Sequence, residues 1–397
     1  MEAYFLEWLN IIGRWVHLIT GIAWIGASFY FVWLDSHLKP PKYEESEKLG
    51  IGGEVWAVHG GGFYRAQKFK VAPPDLPEPL HWFKWEAYST WLSGFFLLCL
   101  IYYVGAEVYL IDKTVADLSK PAAIGIGLGF LLGGWVVYDL LCRSPVGKNE
   151  PVLALIFLVL LTIAAYALTH LFSGRGAFIH FGAILGTIMS ANVLMVIIPG
   201  QRELVRAKQE GRAPDPIHGL RGKQRSVHNT YFTLPVLFVM MSNHYALLTN
   251  AKYSWLVLML ISLAGALIRL FFVRKHQGMK KPVLIVAGVV LIAVVIAMLA
   301  PAKSGEATNN AASFAQVQTI VQARCAGCHA DKPTFAGFAA APKNIMLDTP
   351  DRILANALSL HQQSVVLRAM PIGNLTQMTD AERQTIDGWY RAGAKLN

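Results

Sequence analysis

Cys325-Ala326-Gly327-Cys328-His329, standing beyond a long succession of apolar stretches, decides how this chain is read. Two thiols three positions apart can each add to a vinyl group of one haem, and the next residue then lies under the iron. This is the c-type haem attachment pattern. Such attachment needs an oxidising, extra-cytoplasmic compartment, so the motif also fixes the side of a membrane on which the C-terminus lies. Phe314 to Ala323 reads as a helix entering the motif. Thr379-Asp380-Ala381-Glu382 has capping-box spacing and opens a last helix through Ile386, Trp389 and Tyr390. A helix before the motif and another at the end are the skeleton of a small all-α cytochrome c domain. It is expected over residues 313–397, after a flexible linker at 301–312.

Within that domain His329 is the expected first axial ligand of the haem iron. The second must come from later in the chain. Met370, in Arg368-Ala369-Met370-Pro371, is the best candidate because the proline stiffens the loop that presents the sulfur. Met378, Met346 and His361 are alternatives. A thioether ligand raises the reduction potential and suits an electron acceptor. A dithiol redox pair is the rival reading of Cys325 and Cys328, and the flanking helices argue against it.

Of the 397 residues, 54% are hydrophobic and only 15% charged, against roughly 25% charged in ordinary globular domains. The mean hydropathy is +0.41. Eight apolar stretches approach or exceed the roughly 20 residues that cross a bilayer as a helix. They lie near 7–34, 87–111, 121–141, 151–171, 177–199, 229–248, 254–273 and 282–300. The fold class expected is therefore all-α: a polytopic membrane bundle of about eight helices over residues 1–300, then the cytochrome. Met1-Glu2-Ala3-Tyr4 lacks a basic n-region and a cleavage site, so the first segment is expected to stay as a spanning helix. The net charge of +10 could suggest nucleic acid, but the basic residues sit in short loops between apolar segments. Alternate loops carry them in a ratio of about five to one, which by the positive-inside rule puts both termini outside. Nucleic acid is excluded as a partner; the lipid bilayer is one. Cys99 and Cys142, in or beside apolar helices, read as inert buried thiols.

Ionisable residues within spans are functional candidates by default. Arg14, His17, Gly21, Trp24 and Ser28 share one face of the first helix and should look into the bundle. His170, His180 and His244 lie at helix ends in the same outer half. Neutral imidazole is a good axial ligand, so these three and His17 are candidates for a haem b; hydrogen bonding to backbone or headgroups is the plainer reading. His228 starts the sixth span on the inner side, near the level of His81. Gly125, Gly129 and Gly133 give the third span a smooth face for close helix packing or a flat cofactor. The loop from Asp35 to Glu86 is long, with Gly60-Gly61-Gly62, His59, Arg65, His81, Trp82 and Trp85, and such loops are more often functional than idle.

Four stretches carry a resemblance. They are His17 to Phe29, Glu54 to Tyr64, Leu80 to Tyr88, and His228 to Pro235 with Ser242-Asn243-His244. With the fused cytochrome, the chain resembles the bacterial integral-membrane urate hydroxylases, urate oxidases of cytochrome c type, over essentially its whole length. The resemblance implies oxidation of urate to 5-hydroxyisourate with water as the oxygen source. Electrons would go to the C-terminal haem, then to a soluble or membrane cytochrome or terminal oxidase, with no hydrogen peroxide formed. It also implies the bacterial inner membrane, with both termini periplasmic. Urate is a planar, largely anionic purine, so its pocket should offer hydrogen bonds, an aromatic wall and a base to activate water. His59, Arg65, His81, Glu86, His228 and Asn229 could supply such a set on the inner side. Arg14, His17 and Trp24 could supply one on the outer side. The inner set is preferred because the Gly-rich loop can fold over a cleft and purine breakdown is cytosolic in related organisms.

Two other classes compete. A non-catalytic anchor would tether the cytochrome to a partner dehydrogenase, but one helix would suffice for that. A transporter with a redox sensor has only the helix count in its favour.

Overall fold

The structure, a computed structural model, describes residues 2–300, 312–335, 338 and 340–396. The linker expected at 301–312 lies outside the described residues except for Ala312. Helices carry the fold. α1 (Glu2–His37) leads into a polar stretch with α2 (Glu44–Lys48) and two strands, β1 (Ile51–His59) and β2 (Gly62–Phe69). The bundle continues with α3 (Trp85–Leu98), a π-helical turn (Cys99–Val104) and α4 (Ala106–Tyr109). α5 (Lys120–Arg143), α6 (Glu150–Leu171) and α7 (Gly174–Asn192) follow. A second π-helical turn (Val193–Ile197) joins α7 to α8 (Ile198–Gln209). α9 (Pro216–Ser242), α10 (Ala246–Thr249), α11 (Ser254–His276) and α12 (Val283–Met298) complete it.

The helix starts are written in the sequence. Ser119, Asn149 and Asp215 each accept a backbone N–H from the first turn, and Pro121, Pro151 and Pro216 occupy first-turn positions where no N–H is needed. Each of the eight expected spans corresponds to a helix. Among the described residues six helices are long and apolar enough to cross a membrane: Tyr4–His37, Trp85–Val104, Lys120–Arg143, Glu150–Leu171, Gly174–Gln209 and Ser254–His276. α9 is long but opens with polar residues, and α12 has only 16. Trp15, Ile22, Leu132, Leu155, Val283 and Ile296 stand exposed on the outer faces. So much exposed apolar surface suits lipid and not water.

α7 is the central helix, with Phe178, His180, Phe181, Ile184, Leu185 and Ile188 buried. The glycines that let neighbours reach it are not the expected ones. A Cβ on Gly127 would stand 2.6 Å from His180 Nε2, and one on Gly134 2.6 Å from Ile184. At Gly125, Gly129 and Gly133 it would meet nothing within 4 Å, so that stripe is an open face and not a packing seam. The second difference is the hairpin, where no strand was expected. β1 and β2 pair antiparallel from Val58–Phe63 and His59–Gly62 back to Ile51–Phe69. Gly60 and Gly61, at φ 57° and 81°, make the two-residue turn that only positive φ allows.

The C-terminal segment contains α13 (Phe314–Arg324), α14 (Pro350–Ala355), α15 (Ala357–His361) and α16 (Asp380–Arg391), joined by turns and loops. Its core is Phe314, Val317, Val321, Leu347, Ile353, Leu360, Ile386 and Trp389. Capping boxes at Ser313/Gln316 and Thr379/Glu382 start its first and last helices. It meets the bundle where Asn250 Nδ2 donates to the Arg368 carbonyl at 2.6 Å and where Gly373 lies against the Val108 carbonyl.

Candidate active site and cofactor segment

α1, α3, α9 and the π-turn after α7 enclose a cavity of about 500 Å³, which a strap from Val71 to Phe83 helps to wall. Pro73, Pro74, Pro77 and Pro79 keep that strap out of a helix. Trp24, Phe31, Trp82 and Phe83 give the otherwise mostly aliphatic cavity an aromatic wall. Phe83 meets Phe31 edge-on at 4.8 Å and His81 at 4.6 Å. Among the polar lining residues are Ser28, His81, Glu86, Gln201 and Asn229. Glu86 is the informative one. Its Oε2 is buried without a hydrogen-bond partner among the described residues. A carboxylate oxygen in that state is costly unless something docks on it, so a buried orphan beside a cavity marks a ligand or water position.

Asn229 belongs to a buried network behind the cavity. Its Nδ2 donates to the Met189 carbonyl at 2.9 Å, and its Oδ1 accepts from Asn192 Nδ2 at 2.9 Å. Asn192 also contacts Tyr138 and Arg225. Arg225 pairs with Asp139 at 2.7 Å, both groups being buried. His228 does not line the cavity. It lies between Tyr138 Oη at 2.7 Å and Glu150 Oε2 at 2.8 Å.

Of the six residues in the inner set, the structure gathers His81, Glu86 and Asn229 in one cavity. His59 is exposed at the hairpin tip. Arg65 is committed elsewhere: Nε donates to Glu54 Oε2 at 2.7 Å, Nη2 to Ser46 at 2.5 Å, and the guanidinium covers Tyr43 and Trp56. Burial alone would raise the Glu54 carboxyl, but donors from Lys42 N–H, Trp56, Arg65 and Gln67 outweigh it and bring the pKa down to about 2. This cluster anchors the hairpin to α2. The outer stripe is divided as well. Arg14 does not face the bundle; it is exposed and donates to Asn10 at 2.7 Å. The His17 ring lies in the gap left by Gly94 and contacts Thr90 O and Ser93 Oγ at 3.1 Å, while Trp24 and Ser28 reach the inner cavity.

The haem b candidates do not converge on one place. Both ring nitrogens of His180 are engaged, Nδ1 with the Gly176 carbonyl at 2.8 Å and Nε2 with Tyr103 Oη at 3.3 Å. His170 and His244 share a second cavity of about 860 Å³ between the bundle and the Met370 loop. His170 Nδ1 contacts the Tyr166 carbonyl at 2.7 Å, and its Nε2 has no hydrogen-bond partner among the described residues.

In the C-terminal segment the helix end at Arg324 breaks into a turn. There the N–H groups of Cys328 and His329 donate to the Cys325 carbonyl at 3.1 and 2.9 Å. All four cysteines are free thiols. Burial pushes the Cys325 thiol up to about 12 and also raises Cys328, the opposite of what a reactive dithiol pair requires. His329 Nδ1 is 2.8 Å from the Ile345 carbonyl, which fixes the proton there and leaves the Nε2 lone pair for a metal. Arg383 holds the Met370 loop through the carbonyls of Ser364 and Met370. Free thiols on one turn, a tautomer-fixed imidazole and a tethered thioether are a donor set that could hold a covalent haem. Of the alternatives, His361 is tied to Asp387 at 2.7 Å and stacked on Tyr390, and Met378 is buried in the core.

Sequence reasoning missed Gln201, which lines the cavity, and Tyr138, Asn192 and Arg225 behind it. No spacing rule marks them, because α5, α7 and α9 bring them together only in the fold. The model of the family described as Urate oxidase N-terminal matches residues 3–300. No curated protein and no solved structure matches the chain.

Proposed function

The chain belongs to that family, and on this premise we propose that it oxidises urate to 5-hydroxyisourate in the aromatic cavity and passes the electrons to a covalent haem c on residues 325–370. The balance is urate plus water giving 5-hydroxyisourate, two protons and two electrons, so no oxygen is consumed and no peroxide formed. The observation that carries this reading is the unpartnered Oε2 of Glu86 beside a cavity walled by tryptophan and phenylalanine. In it the purine lies against the aromatic wall, with the amides of Asn229 and Gln201 along its edges. Glu86 holds the attacking water and takes its proton. His81, at the mouth, relays the proton to solvent. The strap excludes other water. Because the family unit ends at residue 300, a substrate cavity built wholly from residues 24–233 suits it better than one that needs the cytochrome.

When bound, the haem takes electrons one at a time at a potential raised by its thioether ligand. Cys325 and Cys328 would hold it and His329 and Met370 would ligate it, with a cytochrome or terminal oxidase as the onward acceptor. The bacterial inner membrane with both termini periplasmic is the setting that the charge bias and the attachment motif support. Glu86 stands in the first turn of α3 and Val104 ends the π-turn 18 residues further along the same span, about 27 Å away. One electron-transfer step does not cover that distance, so an intermediate carrier is required. A non-covalent haem b at His170 and His244 would serve the outer end of the route. Acid–acetone extraction tests it directly: extractable haem that disappears in His170→Ala supports it, and none in the wild type ends it.

The central test is anaerobic. Urate added to the purified chain should reduce the c-type haem, seen as its sharp α band. Glu86→Gln should slow that reduction at least a hundredfold, a general-base loss, with haem content unchanged. Failure of the wild type to be reduced overturns the reading and returns the chain to a tethered electron carrier.

A further inference from the structure

The hydrogen bonds around Asn229 run in one consistent direction, and Arg225 sets it. A guanidinium only donates, so the Asn192 atom 3.3 Å from Arg225 Nη1 is Oδ1. Its Nδ2 is then left for the two other partners, Tyr138 Oη at 3.3 Å and Asn229 Oδ1 at 2.9 Å. Asn229 is thereby turned with its oxygen to Asn192 and its nitrogen to the Met189 carbonyl at 2.9 Å. The order continues on the far side. Tyr138 accepts from Asn192, so it gives its own proton to His228 Nδ1, and His228 gives its Nε2 proton to Glu150. Arg225 is itself fixed by Asp139, whose other oxygen accepts from Arg143 at 2.6 Å. Turning over either amide alone sets donor against donor or acceptor against acceptor among buried groups.

A primary amide carries two N–H groups and two lone pairs. Asn229 spends one of each on Met189 and Asn192. One N–H and one lone pair remain, on a side chain that lines the cavity. We infer that Asn192, locked by Arg225, is a positioning residue that fixes the polarity of Asn229, so that the cavity presents a preset donor–acceptor pair to a cis-amide edge, O=C–N–H, of its ligand. The ligand class is a lactam- or imide-bearing heterocycle. Urate has such edges on both rings, and to that extent the inference rests on the urate reading. An amide free to turn must be ordered at each binding event, whereas a locked one is ordered beforehand. The network thus acts on affinity more than on the chemical step.

Asn192→Asp separates polarity from packing. The carboxylate keeps the volume and still pairs with Arg225, but it has no N–H for Asn229 Oδ1. Asn229 must then turn its nitrogen to it and set its oxygen against the Met189 carbonyl. Asn192→Leu removes the network with little change of volume. Holoprotein in detergent would be used to measure labelled-urate binding by equilibrium dialysis and urate-dependent haem reduction at saturation. Both variants should bind urate roughly tenfold more weakly, about the worth of one hydrogen bond, with the saturated rate within about threefold of wild type. Adding either change to Asn229→Ala should weaken binding no further, since Asn192 acts through Asn229. Additive losses, or wild-type binding in Asn192→Asp beside a weakened Asn229→Ala, would overturn the inference and leave the urate reading intact. A joint collapse of haem content, saturated rate and affinity in both variants would make Asn192 a folding residue and overturn it too. Unchanged binding in Asn229→Ala would place urate outside this cavity and sink both.

Discussion

Arg383 is the residue on which the Met370 loop depends. Its guanidinium is buried and donates to the carbonyls of Ser364 and Met370 and to Asn374 Oδ1, joining α16 to the loop. Hydrogen bonds from a charged donor are worth about 1.5–3 kcal/mol each, and a buried carbonyl left unpaired adds its own cost. Arg383→Leu should therefore destabilise the C-terminal segment by about 3 kcal/mol and loosen Met370. The measurement is the charge-transfer band of a thioether-ligated haem, which should weaken while the covalent haem remains. An unchanged band would mean that the loop is held by other contacts. At this scale the sequence is legible where local geometry follows spacing: the Thr379 capping box could be read directly. Arg383 and Asn192 could not, because their partners are backbone carbonyls and amides brought to them by distant segments.

The hairpin β1–β2 is held at its base by one carboxylate. Glu54 is 3% exposed and receives Arg65, Trp56, Gln67 and the Lys42 N–H, so its pKa falls from 4.5 to about 2. A depressed carboxylate contributes stability that is complete above its unfolded pKa and is lost as pH falls through the folded one. The window is thus from about 4.5 down to about 2, and the hairpin should stay docked at pH 5. Because Trp56 Nε1 donates to Glu54 at 2.9 Å, its fluorescence reports the event. Glu54→Gln should shift that signal at neutral pH and abolish its change across the window; an unaltered titration would show that another group anchors the strands. A signal for the hairpin does exist in the sequence, in Val55-Trp56-Ala57-Val58 and Phe63-Tyr64 on either side of Gly60-Gly61. It is faint because the strands are short and charged side chains interrupt both, Glu54 in β1 and Arg65 and Lys68 in β2. The long helices read far better, since apolar runs of bilayer length have few other uses. α9 sits between these cases: its first half is polar because it carries Arg225, His228 and Asn229, residues the buried network needs.

At the scale of the whole molecule the proposed orientation draws on two lines. The loops poor in Lys and Arg include 112–120 and 249–254, which the charge rule assigns outside. The C-terminal segment rests against that same end, with Arg368 on Asn250 and Gly373 on Val108. The hairpin, the strap and the basic residues around Arg206 and Arg212 gather at the other end of the spans, where urate from the cytoplasm would enter. Electrons would then leave the cavity at one face and reach the haem at the opposite face, and on the proposed reading the spans would separate the substrate from the acceptor. Protease added to intact spheroplasts should cut within 301–312 and release a soluble haem-bearing fragment of about the size of residues 313–397. The fragment should remain folded, because its core from Phe314 to Trp389 is closed on itself. Urate should no longer reduce the haem in that fragment, while the membrane-bound remainder should still bind urate. In inverted vesicles the same linker should be shielded. Cleavage in inverted vesicles and protection in spheroplasts would reverse the orientation, and with it the assignment of the cavity to the cytoplasmic side.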